Sequence, residues 1–245
     1  MLKLFSKFAL LVFAVFLAPA LVHFGVWALK DRPGSWHQAD WSSAGILPPA
    51  TDDRAARVYL FSARTGGLKG AFATHSWLVL KRENATRYDR YDVVGWGRPV
   101  RKNGYEADAR WYSNVPIIEY EVNGDRASTM IPKIEAAIAE YPWQNRGDYT
   151  LWPGPNSNTF VASVIRSVPG FDASTPSTGV GRDYPENGNW IHLDRHGSLR
   201  LSAGGYAGLV VGMQEGVEVN LFGLVAGVNP MKLEFKVPAF GAFRL

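Results

Sequence analysis

The chain has 245 residues, 47% of them hydrophobic and 20% charged, and it contains no cysteine. This length and composition predict a folded domain plus a short extra segment, and they exclude an intrinsically disordered chain. The lack of cysteine excludes disulfides, thiol nucleophiles and thiolate metal sites. The formal net charge is +4, but basic and acidic residues are interspersed, so nucleic acid is not an expected partner.

The histidines do not predict a metal site. Five are present, and none is spaced as in the HExxH zinc motif. His192 and His196 share an i, i+4 interval, but their surroundings predict a strand and a turn, which favours solvent-exposed histidines. We therefore expect neither a metal nor another cofactor.

The N-terminus predicts a membrane anchor. Lys3 and Lys7 precede an uncharged apolar run over residues 8–29, which is long enough for the roughly 20 residues that cross a bilayer as a helix. A cleavable signal peptide is the alternative, since Ala18-Pro19-Ala20 has the form of a cleavage site. Because the apolar run continues past that site, we favour a retained single-pass anchor over residues 1–30, with its N-terminus in the cytoplasm.

The rest of the chain divides into a linker and one predicted domain. Residues 31–53, rich in proline, glycine and serine, predict a linker, and residues 54–245 predict a single globular domain. Its strands are predicted over residues 57–63, 72–80, 88–96 and 117–122. The glycine-punctuated C-terminal part, 199–245, predicts hairpins that complete the same sheet.

Two helices are predicted by apolar residues at helical spacing, over residues 125–141 and 156–168. Asp125 is the expected cap of the first, and Pro132 suggests that this helix properly begins at Thr129 or Met130. The fold class is therefore α+β, with an antiparallel sheet packed on two main helices.

The clearest candidate site is a Pro/Gly turn that leads directly into the second helix. In Trp152-Pro153-Gly154-Pro155-Asn156-Ser157-Asn158, the serine falls at a helix N-terminus, where free backbone N–H groups favour negative charge. One interpretation is simply a capped helix, because Asn and Ser are preferred caps. The functional alternative is a Ser157 nucleophile, with the Asn156 and Asn158 side chains stabilising an oxyanion.

His75 is the candidate base for such a serine. It lies within the second predicted strand, where alternation places it on the same face as Trp77. A satisfied core histidine is the structural interpretation, and a general base tuned by burial is the catalytic one. Asp92 and Tyr91 are both candidates to orient the imidazole, and we favour Asp92 because a carboxylate holds one tautomer better.

The strand-borne His75 followed by Asn156-x-Asn158-x-Phe160 at a helix start resembles circularly permuted papain-like proteins. These include the permuted NlpC/P60-type and PPPDE peptidases, whose helix opens with Asn-Cys-Asn-x-Phe. The resemblance implies a permuted papain-like fold with His75 as the base and Ser157 in the position of the nucleophilic cysteine. Since serine replaces that cysteine, it also implies weak or lost activity.

A second resemblance covers nearly the whole chain. Four segments occur in the order found in a bacterial family, domain of unknown function 3750: His75-Ser76-Trp77, Val94-Gly95-Trp96-Gly97, the Pro/Gly turn continued to Phe160, and Glu215-Gly216-Val217-Glu218-Val219-Asn220. Together with the anchor, this resemblance implies a cell-envelope protein of the bacterial inner membrane whose globular domain lies in the periplasm. It implies no particular activity.

Two hypotheses for function follow. The first is a binding module with a papain-like groove lined by Trp77, Trp96 and Trp152, with weak or lost catalysis. The second is a Ser157/His75 hydrolase or acyltransferase acting on an amide or ester of the envelope, such as a peptidoglycan peptide or a lipid. The missing thiol favours the binding module. The sequence does not identify a protein partner.

Overall fold

The computed structural model describes residues 2–185, 188–195 and 197–245 of the protein. His196, one half of the histidine pair considered above, lies outside the described residues. The protein is α+β, with two antiparallel sheets and an N-terminal apolar helix. The predicted fold class is confirmed at this level.

The N-terminal helix is continuous but changes its winding. It consists of α1 (Leu2–Val12), a π-helical segment (Phe13–Leu17) and α2 (Ala18–Ala28). The span Lys3–Ala28 has a mean hydropathy of 2.4 and is long and apolar enough to cross a membrane. A signal sequence near the N-terminus would have the same properties, so the helix is compatible with a single-pass anchor or with a signal sequence.

One side of this helix packs on the globular part of the protein. Phe16, Ala20 and Trp27 share that side and are buried. The Phe24 ring stacks on Phe72 at a centroid distance of 5.7 Å. The helix therefore contacts the domain from the π-helical segment to the C-terminal end of α2.

Five antiparallel strands form the first sheet, in the order β4-β3-β2-β1-β5. They are β1 (Arg57–Arg64), β2 (Thr74–Lys81), β3 (Asp89–Val93), β4 (Val100–Lys102) and β5 (Ile117–Asn123). The four strands predicted before the first helix are confirmed, and the short β4 is an addition. In the central pair, Ala63 of β1 lies opposite His75 of β2.

Two helices cover one face of this sheet. They are α3 (Gly124–Ala139) and α4 (Ser157–Ser167), and both are confirmed as predicted elements. Their apolar sides meet the strands in the main core, where Leu60, Leu78 and Phe160 are fully buried. Burial of such side chains is the main stabilising term of the domain, at roughly 25 cal/mol per Å².

The predicted start of α3 is wrong. The helix begins at Gly124, and its N-cap is Asn123, not Asp125. Pro132 therefore lies inside the helix, where it cannot donate the usual hydrogen bond to the carbonyl four residues earlier. The tertiary packing of Met130 and Ile131 beside it holds the helix despite this loss.

The opposite face of the sheet carries a layer of aromatic side chains, to which the predicted linker is attached. Trp41 packs edge-to-face on Trp111 at 5.0 Å. The Asp108 carboxylate accepts hydrogen bonds from the Ser43 hydroxyl at 2.6 Å and from the Ile46 backbone at 2.7 Å. The segment between the N-terminal helix and β1 thus lies along this face.

The C-terminal strands form a second sheet of their own, and the prediction that they complete the first sheet is wrong. The seven strands are β6 (Ile191–Leu193), β7 (Leu199–Ala203), β8 (Ala207–Gly212), β9 (Gly216–Leu221), β10 (Leu224–Asn229), β11 (Glu234–Val237) and β12 (Gly241–Arg244). They follow one another as antiparallel neighbours from β12 to β6. Each strand pairs with its sequence neighbours through short turns, so none is left to extend the first sheet.

Candidate functional site

A cavity of about 640 Å³ opens beside the N-terminus of α4. Most of its wall is aromatic or aliphatic, with contributions from Phe72, Trp96, Trp111, Tyr112, Tyr149, Leu151, Trp152, Val180, Phe222 and Leu224. The polar part of the wall includes His75, Ser157 and Lys69. The cavity therefore combines a large apolar surface with a few polar groups, the usual composition of a small-molecule site.

The Pro/Gly turn positions Ser157 at this wall. The Trp152–Pro153 and Gly154–Pro155 peptide bonds are both cis. Asn156 is the N-cap of α4, and its side chain accepts hydrogen bonds from the backbone N–H groups of Asn158 and Thr159. Ser157 is thus the first helical residue, almost fully buried, at the positive end of the helix dipole.

His75 lines the same cavity from β2. Its ring stacks face-to-face on Trp111 at a centroid distance of 3.7 Å. His75 Nε2 is buried and lies 3.6 Å from Asp92 Oδ2. In the part of the chain that the structure describes, the imidazole and the Ser157 hydroxyl form no hydrogen bond with each other.

Asp92 lies behind His75 and is held by a buried arginine. Arg90 donates two hydrogen bonds to Asp92 Oδ2, from Nη2 at 2.8 Å and from Nε at 3.1 Å. The guanidinium also lies over the Trp77 ring, 4.1 Å from its centroid. This arrangement fixes the carboxylate on the side of His75 that faces away from solvent.

These contacts set the charge states of the pair. Burial lowers the pKa of the His75 imidazole below its usual value, against the opposing effect of Asp92. Burial alone would raise the pKa of the Asp92 carboxyl, but His75 and Arg90 outweigh it and hold that pKa below its usual range. A neutral imidazole that directs Nε2–H toward Asp92 leaves Nδ1 as the proton acceptor for a group in the cavity.

Trp96, Trp152, Ser157 and His75 all line the cavity, as the sequence-based prediction requires. Trp77 does not, and its assignment to the groove is corrected. It is fully buried against Phe61 and donates a hydrogen bond from Nε1 to a backbone carbonyl. Although Trp77 shares a strand face with His75, it lies two residues farther into the sheet, beneath the aromatic layer.

Asn156 and Asn158 touch the cavity, but their amide groups are engaged within the protein. Asn156 Nδ2 donates to the Leu151 and Val180 carbonyls, both at 3.0 Å. Asn158 Nδ2 donates to the Thr74 and Val180 carbonyls, both at 2.9 Å. These bonds tie the helix start to β2 and to the loop after α4, so both asparagines have a clear structural role.

Sequence reasoning missed Arg90, Trp111 and Lys69. Arg90 could have been found from its i, i+2 spacing to Asp92 on a strand, which places both side chains on one face. Trp111 carries no such signal, because it reaches His75 from a loop that is distant in sequence. Among the described residues, no three His, Asp or Glu side chains form a group that could hold a metal ion.

Fold and site together define an α+β protein with an N-terminal apolar helix and an aromatic-lined cavity that holds a serine and a histidine. The family model for "Protein of unknown function (DUF3750)" matches residues 55–184, and the chain belongs to this family. The match covers the first sheet, α3, α4 and the cavity residues that precede the second sheet. No curated protein and no solved structure matches the chain.

Proposed function

We propose that this protein is a membrane-anchored binding protein whose cavity holds the acyl chain of an amphiphilic molecule. The composition of the cavity wall is the observation that carries this proposal. Lys69 is the single Lys, Arg, Asp or Glu among the described residues that line it. Such a wall favours methylene groups, at about 0.8 kcal/mol for each one buried, with Lys69 available to an anionic head group.

A lipid source for the ligand is supported by the surroundings of the cavity. Phe72 lines the cavity and stacks on Phe24 of the N-terminal helix. We take that helix to be a retained anchor in a bacterial inner membrane, with the domain in the periplasm. The support for this orientation is the pair Lys3 and Lys7 at the N-terminal end of the apolar span.

We further propose that the first sheet and its two helices form a permuted papain-like fold. The support is the chain order, in which His75 on β2 and Asp92 on β3 precede Ser157 at the start of α4. In this interpretation the cavity corresponds to the substrate groove of that fold. A serine at the nucleophile position is consistent with a groove kept for binding and not for turnover.

Photo-crosslinking of the full-length protein tests the binding function. The probe is a fatty acid that carries a diazirine and an alkyne, added to protein reconstituted in lipid nanodiscs. We expect cross-linked peptides that contain Trp152 or Phe222, and we expect Ala73→Trp to reduce their yield several-fold because the indole at position 73 occupies part of the cavity.

The matched control for this experiment is Ala39→Trp. Ala39 is half-buried like Ala73 but follows the short helix Trp36–Gln38, outside the cavity. It should leave the cross-linking unchanged. Cross-links confined to the N-terminal helix, or equal yields in the two variants, would show that the cavity does not bind the acyl chain.

A second candidate function is acyl transfer at Ser157, which is favoured by the shared cavity wall of Ser157 and His75. In this reaction Ser157 Oγ bonds to an acyl carbon while His75 Nδ1 accepts the hydroxyl proton. The leaving group departs with that proton, and water then cleaves the acyl-enzyme ester. The Ser157 backbone N–H, together with the positive end of the α4 dipole, would stabilise the oxyanion.

Ser157→Cys tests whether the site activates a nucleophile, and the absence of other cysteines makes the measurement clean. We expect the pKa of this thiol to fall below the usual value of about 8.5, because it sits at a helix N-terminus beside His75. The rate of iodoacetamide alkylation against pH measures it. Adding His75→Ala should raise the thiol pKa again.

Ser167→Cys is the control, since Ser167 lies at the exposed C-terminal end of the same helix. Its thiol should titrate no lower than a free cysteine. If the two thiols titrate alike, Ser157 is not activated and only the binding function remains. Labelling of the natural protein by a fluorophosphonate that depends on Ser157 and His75 would instead establish acyl chemistry.

A further inference from the structure

The second sheet exposes an uninterrupted apolar row that crosses all seven strands. Each member is paired directly with the next in the strand register. In order across the sheet the row is Leu193, Leu199, Val211, Val217, Val228, Phe235 and Phe243. All seven are exposed, with between 40% and 68% of their surface accessible.

Neighbouring rows on the same face are apolar as well. The next row includes Leu201, Leu209 and Val219, and the register aligns them directly with one another. At a strand spacing of about 4.8 Å, the seven strands make a surface roughly 30 Å wide. Contiguous apolar patches of this extent on a protein mark a site of interaction.

The other face of the sheet is polar and turned into the protein. Arg182, from the loop after α4, donates to the Glu218 carboxylate, and both are almost fully buried. Lys236 also donates to Glu218, and burial lowers the pKa of this lysine to about 8. The sheet thus has its charged side inside and its apolar side outside, the reverse of an ordinary amphipathic sheet.

The N-terminal helix lies next to one end of this sheet. The π-helical segment Phe13–Leu17 contacts β10, which is an internal strand of the sheet. The His23 ring packs on Phe240, in the turn between β11 and β12, at a centroid distance of 4.8 Å. The strand register places this turn at the end of the sheet where β10 begins, so the helix passes that end of the sheet.

The length of this contact indicates what covers the face. The helix packs on the domain from Phe16 to Trp27, a distance of about 17 Å at 1.5 Å per residue. Half the hydrocarbon core of a bilayer is about 15 Å thick. When the helix spans a membrane, the part of the domain packed against it lies at the depth of the hydrocarbon.

We propose that the outer face of the second sheet contacts the lipid bilayer directly, beside the N-terminal helix. The domain is then partly immersed in one leaflet and not held above the surface on a free tether. An apolar face needs no polar partners from lipid, and the backbone groups of the five internal strands, β7 to β11, are paired between strands. The outer edges of β6 and β12 are open, so they must stay at the level of water or lipid head groups. This proposal does not depend on what the cavity binds.

Site-directed spin labelling of the full-length protein in phosphatidylcholine–phosphatidylglycerol vesicles tests the proposal. The labels are attached at Val211→Cys, Val217→Cys, Val228→Cys and Phe235→Cys in the cysteine-free chain. Val115→Cys, an exposed apolar position outside both sheets, is the matched control. Collisions with molecular oxygen report lipid exposure, and collisions with a water-soluble nickel chelate report water exposure.

We expect the four sheet labels to collide with nickel several-fold less, and with oxygen several-fold more, than the label at Val115. Nickel accessibility equal to that at Val115 would overturn the proposal. Low collision rates with both reagents, together with spin–spin broadening, would also overturn it, because they would show that a second copy of the chain covers the face. Circular dichroism of each variant confirms that the exposed substitutions leave the fold intact.

Discussion

At the scale of single residues, the environment of His75 determines the charge state of the candidate base. Its ring is stacked on Trp111, and its Nε2 faces a carboxylate that Arg90 already neutralises. Burial is the main reason that the pKa of the imidazole is lowered, and the Arg90 charge lowers it further against the opposing effect of Asp92. The lowered pKa favours the neutral form. A neutral imidazole suits both a base and a rigid cavity wall.

This burial predicts a loss of stability in mild acid. The folded-state pKa of His75 lies below the unfolded value of about 6.5. The unfolded chain therefore takes up a proton before the folded one does, so the free energy of unfolding is highest above pH 6.5 and decreases as the pH falls below that value. Between pH 6.5 and 5 the loss is at most about 2 kcal/mol. Urea unfolding at several pH values measures it, and His75→Asn should flatten this part of the profile.

The control for this profile is His37→Asn, since His37 is exposed. It should leave the pH dependence as it is in the natural protein. Titration of Asp92 does not interfere with this measurement. The pKa of its carboxyl is held below the usual range, so the stability that Asp92 contributes is lost only at lower pH. An unchanged profile in His75→Asn would show that another group titrates.

The sequence predicted the positions of some of these residues in the fold. Ser157 at a helix start follows from local turn and cap chemistry, and the shared face of His75 and Trp77 follows from strand alternation. Alternation does not say how far along the face a cavity extends. The sequence therefore placed Trp77 in the wall of the cavity, whereas in the structure other side chains separate Trp77 from the cavity.

At the scale of elements, the alternating sequence of β9 shows that the residues packed against a strand decide which of its faces is buried. Val217-Glu218-Val219-Asn220-Leu221 alternates strictly between apolar and polar residues. The inner member Glu218 meets Arg182 and Lys236, both buried. Three charges removed from water are tolerated here because each has a partner.

Glu218→Gln should therefore destabilise the protein strongly. It removes the carboxylate that accepts hydrogen bonds from both buried cations, while Asp183 stays 3.6 Å from Arg182 and Glu234 stays 3.3 Å from Lys236. We expect a loss of about 1.5–3 kcal/mol of the free energy of unfolding, the usual range for hydrogen bonds to charged groups.

Glu121→Gln is the comparison, because Glu121 pairs with Arg57 at the surface and should cost less than about 1 kcal/mol. The midpoints of urea unfolding compare the two. Equal effects would contradict the proposed importance of the buried cluster.

At the scale of the whole molecule, the N-terminal helix is the element that bears on whether the protein is anchored in a membrane. Its buried residues continue beyond Ala20, so cleavage there would remove Phe16 but leave Trp27 against the domain. The packing thus uses both sides of the potential cleavage site. This favours a helix that stays attached to the protein.

We expect the isolated protein to retain Met1 and to remain in the membrane after alkaline carbonate extraction. Intact mass spectrometry and fractionation measure the two properties. A reporter fused after Leu245 that is active only outside the cytoplasm should be active, because Lys3 and Lys7 favour the proposed cytoplasmic N-terminus. A mature protein that begins after Ala20 would identify a cleaved signal peptide.

The sequence by itself determined the features that depend on neighbouring residues. The apolar N-terminal helix, the strands of the first sheet and the start of α4 follow from hydrophobic length, periodicity and cap residues. Each is set within about one or two turns of chain, so a single sequence specifies it. Family membership was also predicted from the sequence, and the family model that matches residues 55–184 confirms it.

Tertiary structure alone decided what those elements face. It brought Trp111 onto His75, placed Trp77 beneath the cavity and gave the C-terminal strands a sheet of their own. The alternation in β9 predicted one apolar and one polar face. That the polar face is the buried one depends on ionic partners from another part of the chain, such as Arg182. The physical reason is that a side chain is buried by residues that are distant from it in the sequence. The periodicity of a single strand carries no information about those residues.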